Sequence, residues 1–218
     1  MLSFLRVKSG VEIRVHTVRA WTQRHDASHG KVLLKLDFTN AFNRVCRQTA
    51  LTRTAFSFPG IARWVTWCHQ HLSALRFGAA AIQSAGGVQQ GDPLGPLLFA
   101  TAIHTLTQEL RAGPLDLALF YLDDGIAAGD VAAVGAALAH IRTRGSELGL
   151  TLNFSKCEVV GVGGVQPDDL TDHFPAELLQ HANGSSRLQR NFKFLGAAIG
   201  DDGFVQAHTQ GRVDAVRP

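Results

Sequence analysis

The chain has 218 residues, 45% of them apolar and 18% charged, a globular composition long enough to bury a sizeable core as one domain or a tight pair. No apolar run approaches the length of a membrane span, and residues 1–6 are too short for a signal-peptide core. Cys46, Cys68 and Cys157 lie far apart with no paired spacing, which argues against a disulfide framework and predicts reduced thiols in a cytoplasmic or nuclear protein.

The net charge of +3 hides an asymmetry: residues 1–76 hold 12 Lys or Arg against 3 acids (+9), and residues 77–218 hold 9 against 15 (−6). A basic half beside an acidic half suits a protein that holds a polyanion and coordinates cations. Val11, Val15, Val18 and Trp21 recur near helical spacing and predict a helix over 11–22, with a loop at 25–30. Arg14, Arg19 and Arg24 could touch phosphates, but read rather as its solvated face. Residues 31–38 predict a strand, with Val32, Leu34 and Leu36 on one face and Leu33, Lys35 and Asp37 on the other. Thr39 is placed to cap a helix running through Ala41, Phe42 and Val45 towards Leu51. An acid at the carboxyl end of a strand, just before a helix, is where open α/β sheets tend to place functional groups. Taken alone, Asp37 reads as a residue that helps to start the helix.

Pro59 opens a further helix with Ile61, Val65, Cys68 and Leu72 on one face; Trp64 and Trp67 read as core rather than stacking platforms. Cys68-His69-Gln70-His71 lacks the second ligand pair that a zinc site needs. Residues 76–83 predict short strands broken by Gly78. In residues 86–99 the glycines permit close backbone approach, and Asp92 and Pro93 suit the N-cap and first position of a helix. That helix turns Leu94, Leu98, Phe99, Ala102, Ile103, Leu106 and Leu110 inward. A glycine-rich loop feeding a helix N-terminus can hold an anion.

The pivotal stretch is Phe120-Tyr121-Leu122-Asp123-Asp124-Gly125-Ile126. Its apolar flanks predict strands, and Asp-Asp-Gly between them predicts a tight hairpin turn. Two carboxylates held against a half-buried sheet repel, which raises the pKa of one unless a cation sits there. Adjacent oxygen-only ligands suit Mg²⁺. Asp130 then caps a helix with Val131, Val134, Leu138, Ile141 and Leu148 on one side, ended by Gly149. Residues 150–162 predict a strand or hairpin turning at 153–156. Residues 163–186 read as a surface insertion or a boundary, 192–199 as a final strand, and the last residues as the start of an element cut short.

In order, the chain offers Leu36-Asp37-Phe38-Thr39-Asn40-Ala41-Phe42, Gly87-Val88-Gln89-Gln90-Gly91-Asp92-Pro93, Tyr121-Leu122-Asp123-Asp124, Leu152-Asn153 with Lys156-Cys157, and Phe194-Leu195-Gly196. This series resembles the successive palm motifs of reverse transcriptases, most closely those of non-LTR retrotransposons, over roughly residues 11–200. Each motif is weak alone; five in order are specific. The resemblance implies an α/β (α+β) right-hand polymerase palm, an antiparallel sheet backed by helices. It implies one domain over 1–200, with partial fingers at about 1–30 and 43–86 interleaved with the palm, no thumb, and a truncated tail at 201–218.

For the site, the resemblance implies that Asp37 and Asp123 bridge two Mg²⁺ ions (Mn²⁺ as a substitute), with the Phe38 carbonyl as a backbone ligand and Asp124 beside them. Phe42 would stack under the incoming sugar and exclude a 2′-hydroxyl, and Gln90 and Gly91 would line the nucleotide pocket. Lys156 would sit near the leaving pyrophosphate as a proton donor; a plain turn lysine is an equal reading. Phe194, Leu195 and Gly196 resemble the primer grip. The implied activity is RNA-directed DNA polymerisation, with an RNA template, a DNA primer and dNTPs as partners, no membrane, and the oligomeric state left open. Asn43 stands where many relatives have Asp and Gln89 where many have Pro, and little precedes Val11 to supply fingers. Two alternatives stay open: a nucleic-acid-binding remnant without turnover, and a palm-type RNA-dependent RNA polymerase, against which bulky Phe42 argues.

Overall fold

Alternation along Lys31–Leu36 (β1) buries side chains on both faces: Val32, Leu34 and Leu36 on one, Leu33 on the other. Such a strand belongs in the middle of a sheet. In the computed structural model, which describes residues 9–28 and 30–216, β1 is an inner strand of a four-stranded sheet of order β4-β5-β1-β6. The elements in chain order are α1 (Gly10–His25), β1, α2 (Ala41–Arg44), α3 (Arg47–Ser57), α4 (Pro59–His69), β2 (Ser73–Phe77), β3 (Ala80–Ser84), α5 (Gly95–Ala102), α6 (His104–Ala112), β4 (Leu117–Tyr121), β5 (Asp124–Asp130), α7 (Val131–Glu147), β6 (Glu158–Val162), α8 (Ala176–Leu179), β7 (Phe192–Phe194), β8 (Ala197–Ile199) and α9 (Asp202–Asp214). All pairings of the four-stranded sheet are antiparallel.

Each face of the sheet carries its own core. Val32, Leu34, Leu36, Phe120, Ala127 and Val159 pack with Leu98, Phe99, Leu106, Val134, Leu138 and Ile141 of α5, α6 and α7. Leu33, Ile126, Ala128, Val160 and Val162 pack with Val15, Val18 and Trp21 of α1 and with Phe192, Phe194 and Ile199 of the β7–β8 hairpin. This is the mixed helix and antiparallel sheet arrangement of a polymerase palm. Among the described residues no helix is long and apolar enough to cross a membrane.

Several elements depart from the sequence expectation, each for a local reason. Thr39 does not cap α2: its N–H bonds Thr151 O at 2.9 Å, and Asn40, at φ 48°, occupies the N-cap position. The helix expected to run towards Leu51 breaks at Val45, because Cys46 N–H bonds Leu148 O at 2.8 Å and Gly149 leaves no room for a side chain against Arg44 O. The helix expected at Pro93 begins at Gly95, since the Asp92 carboxylate accepts from Leu94 N–H at 2.8 Å, and it divides at Ile103. There the Thr101 hydroxyl bonds back to Leu97 O and Leu98 O, a competition that bends helices.

Trp64 and Trp67 are not core residues. α4 buries only Val65 and His69, leaving the two indoles 54% and 70% exposed. Residues 163–186 are not a surface insertion, for Leu170, Phe174, Leu178 and Leu179 are buried in the main core, where His173 packs tightly over Gly135 of α7. Residues 192–199 form two strands, with Leu195 (φ 49°) and Gly196 (φ 81°) as a two-residue turn of type I′. Residues 202–214 of the expected tail form α9, whose N-cap Asp201 accepts from Phe204 N–H at 2.8 Å.

Candidate active site

The acidic hairpin turns one residue earlier than Asp-Asp-Gly suggests. Tyr121 pairs with Asp124, so Leu122 and Asp123 form the loop and Asp124 opens β5. Leu122 takes φ 57°, the positive φ that a two-residue hairpin loop demands at its first position. Gly125 belongs to the strand; a Cβ there would stand 2.7 Å from the Phe120 ring and 3.0 Å from Leu36.

Register then brings the acids together. Leu36, where the ladder with β5 ends, pairs with Gly125, so Asp37 leaves β1 beside Asp124, whose carboxyl feels its charge. Directly opposed residues share a face, here the face of Lys35 and Tyr121, and Asp123 follows in the adjoining turn. Burial pushes the Asp124 carboxyl above the usual range; repulsion from Asp123 and from Asp37 adds to this, and the charge of Lys35 opposes it. Lys35 itself is paired to Glu158 on the neighbouring strand at 2.7 Å.

Asp37 is held by its backbone. Asn153 N–H donates to Asp37 O at 2.8 Å, and Phe38 forms an isolated antiparallel bridge with Leu152. Between that bridge and β6 the register against β1 shifts by three residues, so 153–157 bulges opposite Asp37. Inside the bulge the buried Cys157 thiol meets the Asp37 backbone. Because Phe38 and Leu152 are a non-hydrogen-bonded pair, the Phe38 N–H and C=O point the other way, to the hairpin side.

Among the described residues, no group of three His, Cys, Asp or Glu side chains is gathered closely enough to cage a metal unaided. The donor chemistry nevertheless suits a hard cation: the charges of Asp123 and Asp37 add to the raised proton affinity of Asp124, and a carbonyl faces the same side. Mg²⁺ is commonly held by one or two carboxylates with substrate phosphates completing the shell, rather than by an all-protein cage.

Phe42 meets the glycine loop through its backbone. Val88 N–H donates to Phe42 O at 2.7 Å, and the Phe42 ring stacks on Phe99 with centroids 4.7 Å apart and planes 8° from parallel. Gly87 lies so close to the backbone of residues 42 and 43 that a Cβ would stand 2.3 Å from Asn43 O. Gln90 and Gly91 are exposed, and Gly91 takes φ 90°. Phe42 is half-buried and packs against the core. Lys156 lies in the bulge turn with an exposed side chain that makes no ion pair with the acids among the described residues. Phe194 is buried in the second core, with Leu195 half-buried and Gly196 exposed at the hairpin tip.

Three supporting residues escaped the sequence reading. Arg47 donates to Gly87 O at 2.7 Å, Ser84 O at 3.0 Å, Ser84 Oγ at 2.9 Å and Gly86 O at 2.7 Å, fastening the approach to the glycine loop. Buried His69 of α4 reaches the Asp92 carboxylate at 3.2 Å and ties the far end of the same loop. Arg14 is not on a solvated face; it lies over the Tyr121 ring at 5.7 Å. The hydrophobic periodicity that located the elements carries no signal for any of the three.

The family model described as reverse transcriptase (RNA-dependent DNA polymerase) matches residues 6–199. No curated protein sequence matches the chain. Among solved structures, a telomerase from Candida albicans, in complex with a TWJ fragment of telomeric RNA, superposes with a TM-score of 0.58 at 12% identity, over 91% of this chain and 33% of that one. An apo telomerase from Candida tropicalis truncated from its C-terminal domain superposes with a TM-score of 0.55 at 15% identity, over 89% of this chain and 39% of that one. This chain thus spans between a third and two-fifths of the telomerases it resembles. At such identities the likeness is one of fold, and the family follows from the sequence match over nearly the whole length: the chain belongs to the reverse transcriptases.

Proposed function

We propose that this chain is the palm-bearing part of an RNA-directed DNA polymerase from a non-LTR retrotransposon, joining a dNTP to a DNA primer 3′-hydroxyl on an RNA template. The observation that carries the reading is the ladder that ends at Leu36 and Gly125, leaving Asp37 and Asp124 as the next residue on each strand, with Asp123 in the adjoining turn. The family match and the RNA complex of the Candida albicans neighbour support it.

Asp37, Asp123 and the Phe38 carbonyl are the ligands for two divalent ions, Mg²⁺ or in its place Mn²⁺, with Asp124 in support. When bound, the ions supply charge neutralisation at the attacking and leaving oxygens. The chain's own work is positioning, because phosphoryl transfer asks for little covalent help. Phe42, backed by Phe99, sets the floor beneath the sugar and selects deoxynucleotides. Gln90 and Gly91 border the nucleotide, Lys156 gives a proton to the leaving pyrophosphate, and Phe194, Leu195 and Gly196 steady the primer end. Residues 1–200 form the domain, with finger segments at about 1–30 and 43–86, and the protein works in the cytoplasm or nucleus, a reading that its free thiols support.

Primer extension on poly(rA)·oligo(dT) with Mg²⁺ or Mn²⁺, comparing the chain with Asp123→Ala, tests this. Incorporation that Asp123→Ala abolishes is expected. Incorporation that survives the substitution overturns the site assignment, and RNA binding without any incorporation marks a remnant without turnover.

A further inference from the structure

Between Asp37 and Asp92 the sequence contains no acid at all, while it contains Arg44, Arg47, Arg53, Arg63 and Arg76. Arg47 is spent on the Ser84–Gly87 backbone, and the other four are exposed. The same stretch carries the exposed tryptophans of α4. Val65 and His69 anchor α4 inward, so the opposite side of the helix presents Arg63, Trp64, Thr66, Trp67 and Gln70 to solvent. A depression of about 450 Å³ lies on that side, lined by Ala62, Arg63, Thr66, Trp67 and Gln70. Two large indoles left in water, with Phe56, Ile61, Leu72, Leu75 and Ile82 of the same stretch also exposed, call for an occupant.

We propose that this outer face of α4 is a stacking platform for single-stranded nucleic acid, separate from the acidic hairpin. Unpaired bases stack on the Trp67 and Trp64 rings, Arg63 at the edge of the depression meets a phosphate, and Thr66 and Gln70 offer hydrogen bonds to sugar or base edges. Charge selects this occupant over the alternatives. A second copy of the chain docking by the same face would set Arg63 against Arg63, and residues 38–91 hold no acid to pair with either. A duplex keeps its bases stacked on one another and offers the indoles no open base plane.

The tryptophans themselves report the test. Of the three in the chain, Trp21 is 5% exposed and bonded to Asp116, so quenching by an added oligonucleotide reads Trp64 and Trp67. Oligo(U) titrated into the full chain in EDTA is expected to quench the emission, less strongly as salt rises. Anisotropy of labelled oligo(U) is expected to show affinity falling about tenfold for Trp67→Ala and nearly restored in Trp67→Phe. Arg63→Gln is expected to lower the salt slope by about one. Asp123→Ala is expected to bind as the parent does, so that failure of the catalytic reading and failure of this one are told apart. Binding that is unchanged when Trp64 and Trp67 are both replaced by Ala overturns the proposal. So does the absence of quenching, or sedimentation showing self-association that the same replacements dissolve.

Discussion

The Cys157 thiol lies against the backbone of Asp37: Asp37 N–H donates to Sγ at 3.4 Å, and the thiol donates to Asp37 O at 3.6 Å. These residues are far apart in sequence, and the three-residue bulge after Leu152 is what brings them together. Burial, with the Asp37 charge adding to it, holds the thiol pKa up at about 11, so the group keeps the proton it donates. A soft, neutral side chain thus sets the direction in which the first acid of the site leaves its strand.

Replacing Cys157 with Ala removes a sulfur from a fully packed position and leaves the Asp37 backbone with the Asn153 N–H bond but without the thiol. The expected cost is about 1 kcal/mol of stability, read by urea unfolding. In primer extension kcat is expected to fall while the KM for dNTP stays within about twofold, because an effect made only in the transition state lowers kcat without changing ground-state binding. An unchanged kcat would show that Asp37 is positioned without the thiol.

Thiol labelling gives an independent check on the same environment. Cys46 is half-buried, and its hydrogen bonds from Thr49 hold its pKa below the ordinary thiol value, whereas Cys157 is buried and raised. Iodoacetamide at mildly alkaline pH is expected to label Cys46 readily and Cys157 only after unfolding, as peptide mass spectrometry would show. Equal labelling of the two in the native state contradicts the burial.

The raised proton affinity of Asp124 has a sign that can be followed in stability. A carboxyl that binds its proton more tightly when folded favours the fold below its unfolded pKa, near 3.8, and that contribution is lost as pH rises through the folded value. Asp124→Asn is therefore expected to melt above the parent at neutral pH in EDTA, with the difference vanishing in acid. Added Mg²⁺ or Mn²⁺ is expected to raise the melting temperature of the parent through linkage and to do so less in Asp37→Asn. A metal response identical in the two chains would remove Asp37 from the ligand set.

Much of this was legible because strands announce themselves with a period of two. The alternation Val32, Leu34, Leu36 against Leu33, Lys35, Asp37 already placed Asp37 on a face, and the apolar run to Tyr121 placed the second strand. The exact turn was not legible. Asp-Asp-Gly has the better turn composition, but the Phe120 ring and Leu36 claim Gly125 for the strand, and the turn falls on Leu122 and Asp123. Pattern also misread residues 163–186, where Leu170, Phe174, Leu178 and Leu179 are buried from elements too short to show a period. Hydrophobicity alone does not bury a side chain, as exposed Trp64 and Trp67 show. Packing partners distant in sequence decide such cases, and no local window contains them.

Phe42 serves two masters, the stack on Phe99 and the proposed floor of the sugar site. Phe42→Val trims the ring yet keeps an apolar side chain beside Val88. Stability is expected to fall by about 1 kcal/mol. Incorporation of ribonucleotides relative to deoxynucleotides is expected to rise about tenfold or more, since a steric gate opened by a smaller side chain no longer rejects the 2′-hydroxyl. Competition between rNTP and dNTP in primer extension measures it. A loss of stability with unaltered discrimination would leave Phe42 as a core residue alone.

Arg47 offers the sharpest separation between charge and geometry. Its guanidinium reaches three carbonyl oxygens and one hydroxyl of Ser84, Gly86 and Gly87 at once, a fan of donors that an ammonium cannot reproduce. Gly87 in turn packs on the backbone of Phe42 and Asn43, so whatever Arg47 holds is transmitted directly to the sugar floor. Arg47→Lys keeps the charge and loses most of the fan; Arg47→Ala loses both. If fastening the loop is what matters, both variants lose about 2 kcal/mol of stability and both raise the KM for dNTP several-fold, with Lys closer to Ala than to Arg. If only the positive charge mattered, Lys would restore the parent values, and steady-state kinetics beside urea unfolding of the three chains decides between the two.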